Sequence, residues 1–195
     1  MKKVLKNEQD VITLILRDDD MMKIIKAASS LNLPDWWICA GFVRSKIWDT
    51  LHGYPRKTEI PDVDVIYFDN TMIDENLEKQ FEKKLTRILP NVPWSVKNEA
   101  RMHLTNNLPP YTSSEDAISK FPETATALGV TLDKQRNVIL TAPCGLEDVL
   151  QLIVRPTPFF RATKELYDLY EERIVKKNWT AIWPKVRVCH LVNNG

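Results

Sequence analysis

The sequence predicts an α+β protein: a small sheet with helices packed on it and further helices at both ends. Three observations predict it. Strand and helix periodicities alternate from residue 36 to about 141, the preceding stretch is helical, and the last third returns to helical spacing. The 195 residues suit one domain spanning 1–195, with N-terminal helices over about 1–33 and C-terminal helices over about 145–195 packed on its head. Hydrophobic residues at 44% and charged residues at 27% are ordinary for a globular protein and point neither to disorder nor to a membrane.

Asn7 is placed to cap a first helix carrying Val11, Ile12, Leu14 and Ile15. Asp19 or Asp20 would cap a second, with Met21, Ile24, Ile25, Ala28 and Leu31 on one face. The run Asp18-Asp19-Asp20 is read as a solvated capping turn rather than a metal site. Pro34-Asp35 break the chain, and residues 36–40 form a short buried strand that stops at Gly41. Residues 42–52 then place Phe42, Val43, Ile47, Trp48 and Leu51 at helical spacing, with Gly53 as the terminator. A strand, a glycine and a helix start therefore adjoin. Glycine lets a ligand approach the backbone, and a helix N-terminus offers free N–H groups and a positive dipole end to phosphate. Arg44 adds a fixed cation there, although a glycine that only permits a tight turn is the commoner case.

Residues 54–61, with Pro55, Arg56, Lys57 and Pro61, form a loop that delivers the chain to Asp62-Val63-Asp64-Val65-Ile66-Tyr67-Phe68. Strand side chains alternate, so Asp62 and Asp64 stand on one face while Val63 and Val65 anchor the other. Mg2+ takes oxygen ligands and commonly binds one or two carboxylates together with substrate phosphates. A pair of such ions would activate a hydroxyl and stabilise a pyrophosphate leaving group. Alone, Asp-x-Asp is common on exposed strand edges; after the Gly41 turn it gains weight.

A helix over 75–89 carries Leu77, Phe81, Leu85 and Ile88, and a strand begins at Trp94. Alternation continued through Arg101 puts Lys97, Glu99 and Arg101 on one polar face. Farther on, Ser113 or Ser114 caps a short helix, 125–132 and 137–141 form a hairpin, and a helix starting at Gly145 ends near Arg155-Pro156. An amphipathic helix covers 164–176. Lys176, Lys177, Trp179 and Trp183 invite a nucleic-acid reading, but an inter-helix tryptophan core beside a solvated lysine pair is favoured.

The net charge of +1 weighs against a large basic surface for duplex nucleic acid. Cys39, Cys144 and Cys189 are odd in number and far apart, as in a reduced, cytoplasmic protein, and no targeting or spanning segment is read.

The Gly41-Phe42-Val43-Arg44 turn followed by Asp62-Val63-Asp64-Val65 resembles the catalytic head of the DNA polymerase beta-like nucleotidyltransferase superfamily. The interval is closer to tRNA-nucleotidyltransferase and poly(A) polymerase heads than to the compact antibiotic-modifying members. Residues 94–103 and 122–126 resemble a group of bacterial nucleotidyltransferase-like proteins. The resemblance implies a small mixed sheet with helices and transfer of a nucleoside monophosphate from a nucleoside triphosphate to an acceptor: a small molecule, a tRNA or a protein. It implies Mg2+, or Mn2+ in its place, held by Asp62 and Asp64. Gly41 and the Phe42 backbone would hold the triphosphate, and Arg44 would assist by charge or brace the head through an ion pair. Phe42 stands where the superfamily turn offers a small residue, and a serine hydroxyl is lost there. Glu99 is the candidate for the third carboxylate or general base; an ordinary ion-paired face competes with that role, and Lys97 and Arg101 would then contact phosphate or acceptor. A catalytically degenerate module that binds nucleotide or a partner is the alternative.

Overall fold

A computed structural model describes residues 5–106 and 108–190. The chain opens with α1 (Glu8–Leu16), where the Asn7 side chain accepts the Asp10 N–H as predicted. In α2 (Asp19–Ser29) the cap falls one residue earlier than expected: Asp18 has the extended backbone and accepts the N–H groups of Asp20 and Met21. Asp18 is also buried rather than solvated, because Lys46 (2.6 Å) and Lys57 (2.9 Å) close over it.

The central sheet has the order β3-β2-β1-β4-β5, built from β1 (Trp37–Cys39), β2 (Val63–Tyr67), β3 (Trp94–Asn98), β4 (Gly129–Leu132) and β5 (Val138–Thr141). Within this sheet β2 and β3 pair in parallel, joined by the crossover helix α4 (Glu75–Ile88), and its other ladders are antiparallel, so the sheet is mixed. Between β1 and β2 runs α3 (Gly41–His52), which ends on Gly53 at φ 72°.

The register divides the sheet into two faces. Ile38, Val65 and Val96 align across β1, β2 and β3, and with Val63, Tyr67 and Val130 they meet Ile15, Ile25, Ile47, Trp48 and Leu85 in the main core. The opposite face carries Cys39 and Ile66 against Ile118 and Ala127, with Ile118 supplied by α6 (Ser114–Ser119). Gly129 permits this closeness, since a Cβ there would lie 3.0 Å from the Cys39 Sγ.

The edge strand β3 is sealed by α4. Glu78 and Glu82, one turn apart, accept the N–H groups of Asn98 (3.1 Å) and Val96 (2.9 Å), in place of a further strand. β3 ends at Asn98, not at Arg101: the Asn98 carboxamide accepts the Ala100 N–H and Glu99 opens α5 (Glu99–Asn106). The expected strand over 125–132 also begins late. The N–H groups of Thr126 and Ala127 both bond the Glu123 carbonyl, which coils 125–128 before β4.

The C-terminal third is not helical alone. α7 (Glu147–Leu150) lasts one turn and yields, through Leu152 at φ 58°, to β6 (Ile153–Val154). After α8 (Lys164–Lys177) and α9 (Trp179–Ile182), β7 (Arg187–Val188) returns to pair with β6 in parallel. Trp179 and Trp183 are buried against Trp48 of α3, the inter-helix core favoured from sequence. No helix among the described residues is long and apolar enough to cross a membrane.

Candidate functional site

The β1–α3 junction is made by Ala40, whose φ of 52° and ψ of −114° lie in a region rarely used by residues other than glycine. Its carbonyl accepts the N–H groups of Val43 (3.2 Å) and Arg44 (3.0 Å), and no side chain caps the helix. The N–H groups of Gly41 and Phe42 have no intrahelical partner, as at any helix start. The Phe42 side chain is turned into the main core, so its backbone alone faces a ligand at this turn.

Arg44 is 7% exposed and makes no ion pair among the described residues. Instead its guanidinium carbon lies 4.7 Å from the Trp179 ring centroid, 5.2 Å from that of Trp48 and 5.6 Å from that of Trp183. One Nη reaches the Ser45 hydroxyl at 3.3 Å and lies 3.6 Å from where a Gly41 Cβ would stand, while Nε finds no acceptor. Burial lowers its pKa to about 10, so it stays cationic directly behind the turn.

Asp62 is exposed just ahead of β2, and Asp64 is half-buried within it. Burial and the neighbouring Asp62 charge push the Asp64 carboxyl up, against the Ser95 hydroxyl on β3 and the cations Lys177 and Arg173 of α8. Glu99, 6% exposed at the start of α5, feels the charge of the same carboxyl; burial, Asp64 and Glu78 push its pKa up to about 8. No group of three His, Cys, Asp or Glu side chains among the described residues is gathered tightly enough to hold a metal ion by itself.

Lys97 and Arg101 lead elsewhere. Both turn to Glu78, which is fully buried: Arg101 grips it with Nε (3.1 Å) and Nη2 (2.8 Å), and Lys97 stands 3.6 Å away. Glu78 had no sequence signal beyond its one-turn spacing from Glu82. Sequence reasoning also missed Ser95, and it missed Glu123, fully buried and bound to Arg173 Nε at 2.5 Å across 50 residues.

A cavity of about 670 Å³ lies behind this site, on the Val63 side of the sheet, floored by Met21, Ile24, Phe42 and Val63. On its charged rim Asp18 binds Lys46 and Lys57, and Asp49 accepts from Thr58 and Trp183.

A family model described as nucleotidyltransferase matches residues 26–188. No curated protein matches. A structure solved by NMR and described as revealing a CCA-adding enzyme head domain is 36% identical, covering 98% of this chain and 100% of that one, with a TM-score of 0.87. A CCA-adding enzyme in complex with CTP is 11% identical over 96% of this chain with a TM-score of 0.59. The Thermotoga maritima CCA-adding enzyme complexed with tRNA is 14% identical over 96% of this chain with a TM-score of 0.56. The chain spans 44% and 43% of the length of these two enzymes. By its sequence the chain belongs to the nucleotidyltransferase family, and its mixed sheet and helices form a CCA-adding enzyme head-domain fold.

Proposed function

We propose that the protein is a Mg2+-dependent, cytoplasmic nucleotidyltransferase that moves a nucleoside monophosphate from a nucleoside triphosphate to an acceptor hydroxyl. The observation that supports it is the Asp62, Asp64 and Glu99 series beside the uncapped start of α3. The donor set suits a hard cation: oxygen ligands only, with mutual repulsion that a divalent ion would relieve. Asp62 and Asp64 would hold Mg2+ or Mn2+, which when bound supplies charge neutralisation at the triphosphate and the leaving pyrophosphate.

The chain's own groups do the rest. The Gly41 and Phe42 N–H groups take phosphate oxygens at the positive end of α3, reinforced by the buried charge of Arg44. Glu99 is a strong base for a carboxylate and accepts the proton of the acceptor hydroxyl. As the acceptor oxygen bonds the α-phosphorus, the bond from that phosphorus to the bridging oxygen breaks and pyrophosphate departs with the electron pair. Lys97, a third exposed, keeps a cation available for phosphate or acceptor beside Glu78, while Arg101 fixes Glu78 itself. Small-molecule, tRNA and protein hydroxyls are all acceptors of suitable chemistry.

The absence of a three-donor cluster among the described residues favours a second reading, a head that binds nucleotide or a partner without turnover. Incubation with labelled triphosphates, Mg2+ and candidate acceptors separates the two: transfer with pyrophosphate release supports the enzyme, and triphosphate binding without release supports the module. An Asp62→Asn/Asp64→Asn protein that kept full activity would sink the first reading.

A further inference from the structure

Two cations of α8 keep donors that the fold leaves unused. Arg173 and Lys177 are four residues apart and so share one helix face, where like charges repel. Glu123, fully buried, fixes Arg173 through Nε alone, and among the described residues the Nη groups find no acceptor. Lys177 is exposed and makes no ion pair among the described residues. Two residues beyond it, Trp179 covers the Arg44 guanidinium directly behind Gly41. The chain from Arg173 to Trp179 is therefore anchored at both ends, by Glu123 and by the α3 turn. Trp179 brings the end of α8 up to the Arg44 guanidinium behind the Gly41 turn, and both cations lower the Asp64 carboxyl, so this helix face lies within electrostatic reach of turn and carboxylate.

We propose that Arg173 and Lys177 form a clamp for the β- and γ-phosphates of the nucleoside triphosphate, and for the pyrophosphate that leaves. The clamp rests on the nucleotidyltransferase reading. It assigns a binding function to the lysine and tryptophan cluster at the end of α8 without a nucleic-acid surface: the tryptophans hold the helix, and the cations meet the phosphates. Glu123 acts as a positioning residue, because its carboxylate orients the Arg173 fork. An anion held here also relieves the repulsion between the two cations, which gives binding an advantage in the bound state alone.

The test is calorimetry of the full chain with Mg2+ and, in turn, CTP, ATP, CMP and pyrophosphate. Lys177→Ala is expected to weaken triphosphate and pyrophosphate about tenfold, the equivalent of one charge-assisted hydrogen bond, and to leave CMP unchanged. Lys177→Arg should restore most of the loss, and Lys176→Ala should change nothing. Because Arg173→Ala would strand a buried carboxylate, Arg173→Gln with Glu123→Gln is the second variant, with its fold checked by circular dichroism. Wild-type affinity for triphosphate in both Lys177→Ala and the double variant overturns the clamp while leaving nucleotidyl transfer standing. Lys177-dependent pyrophosphate binding in a protein that transfers nothing upholds the clamp and removes the transfer reading. A wild-type chain that binds neither triphosphate nor pyrophosphate overturns both.

Discussion

Two acidic runs, Asp18-Asp19-Asp20 and Asp62-Val63-Asp64, meet opposite fates in this fold. At the first, burial would raise the Asp18 carboxyl, but bonds from Lys46, Lys57 and the Met21 N–H override it and hold it well below the usual carboxylate range. At the second, burial and Asp62 raise Asp64, and the same combination of burial and neighbouring acids raises Glu99. The first run fastens α2 to α3 and to the 54–61 loop. The second keeps carboxylates in like-charged company, an arrangement that costs stability. Density of acidic residues along the chain does not separate the two; the location of the partners does.

Four experiments press on that contrast. Asp62→Asn/Asp64→Asn should lower pyrophosphate release more than about a hundredfold, the scale of losing main electrostatic groups at a reacting centre, while the protein unfolds at an unchanged or higher urea concentration. Asp18→Ala should do the reverse, costing about 2–4 kcal/mol in urea denaturation for a broken buried pair and a lost cap, with nucleotide affinity retained. A drop in stability for the first variant, or none for the second, breaks the contrast.

The third experiment is a pH series on the metal-free protein. Glu99 rises from 4.5 in the unfolded chain to about 8, so between those values the native state binds more protons and its stability falls as pH rises. Glu99→Gln should flatten that slope. Asp18 acts with the opposite sign: its carboxyl is depressed below 3.8, so its contribution is present above that value and is lost as pH falls through the acid range. The smallest effect is expected at the turn. Ala40→Gly removes the cost of a positive φ and should stabilise by about 1 kcal/mol in thermal melts.

Local patterns carried much of the fold: the Asn7 cap, the 42–52 and 75–89 helices, Gly53, and the strand bearing Asp62 and Asp64 all stand close to where periodicity and capping chemistry put them. Glu99 shows the limit. Its expected facing came from strand alternation, yet one side-chain cap from Asn98 turned the chain into a helix at that residue. Glu78 and Glu123 are charged residues in unremarkable settings, and only pairing across 23 and 50 residues makes them buried anchors. Arg44 has assistance by charge or an ion-pair brace as its sequence expectations, and the Trp179 and Trp183 rings beside it come from more than a hundred residues downstream. Periodicity reports which face of an element is apolar, and it is silent on which distant side chain will arrive there.

The indole cage around Arg44 also makes the molecule its own optical probe. Three of the six tryptophans, Trp48, Trp179 and Trp183, surround one guanidinium that adjoins the Gly41 turn. Their emission colour and quenching therefore report how firmly the end of α8 is seated against the start of α3. A nucleotide that draws the two together would announce itself by a change in intrinsic fluorescence, without a label and without turnover.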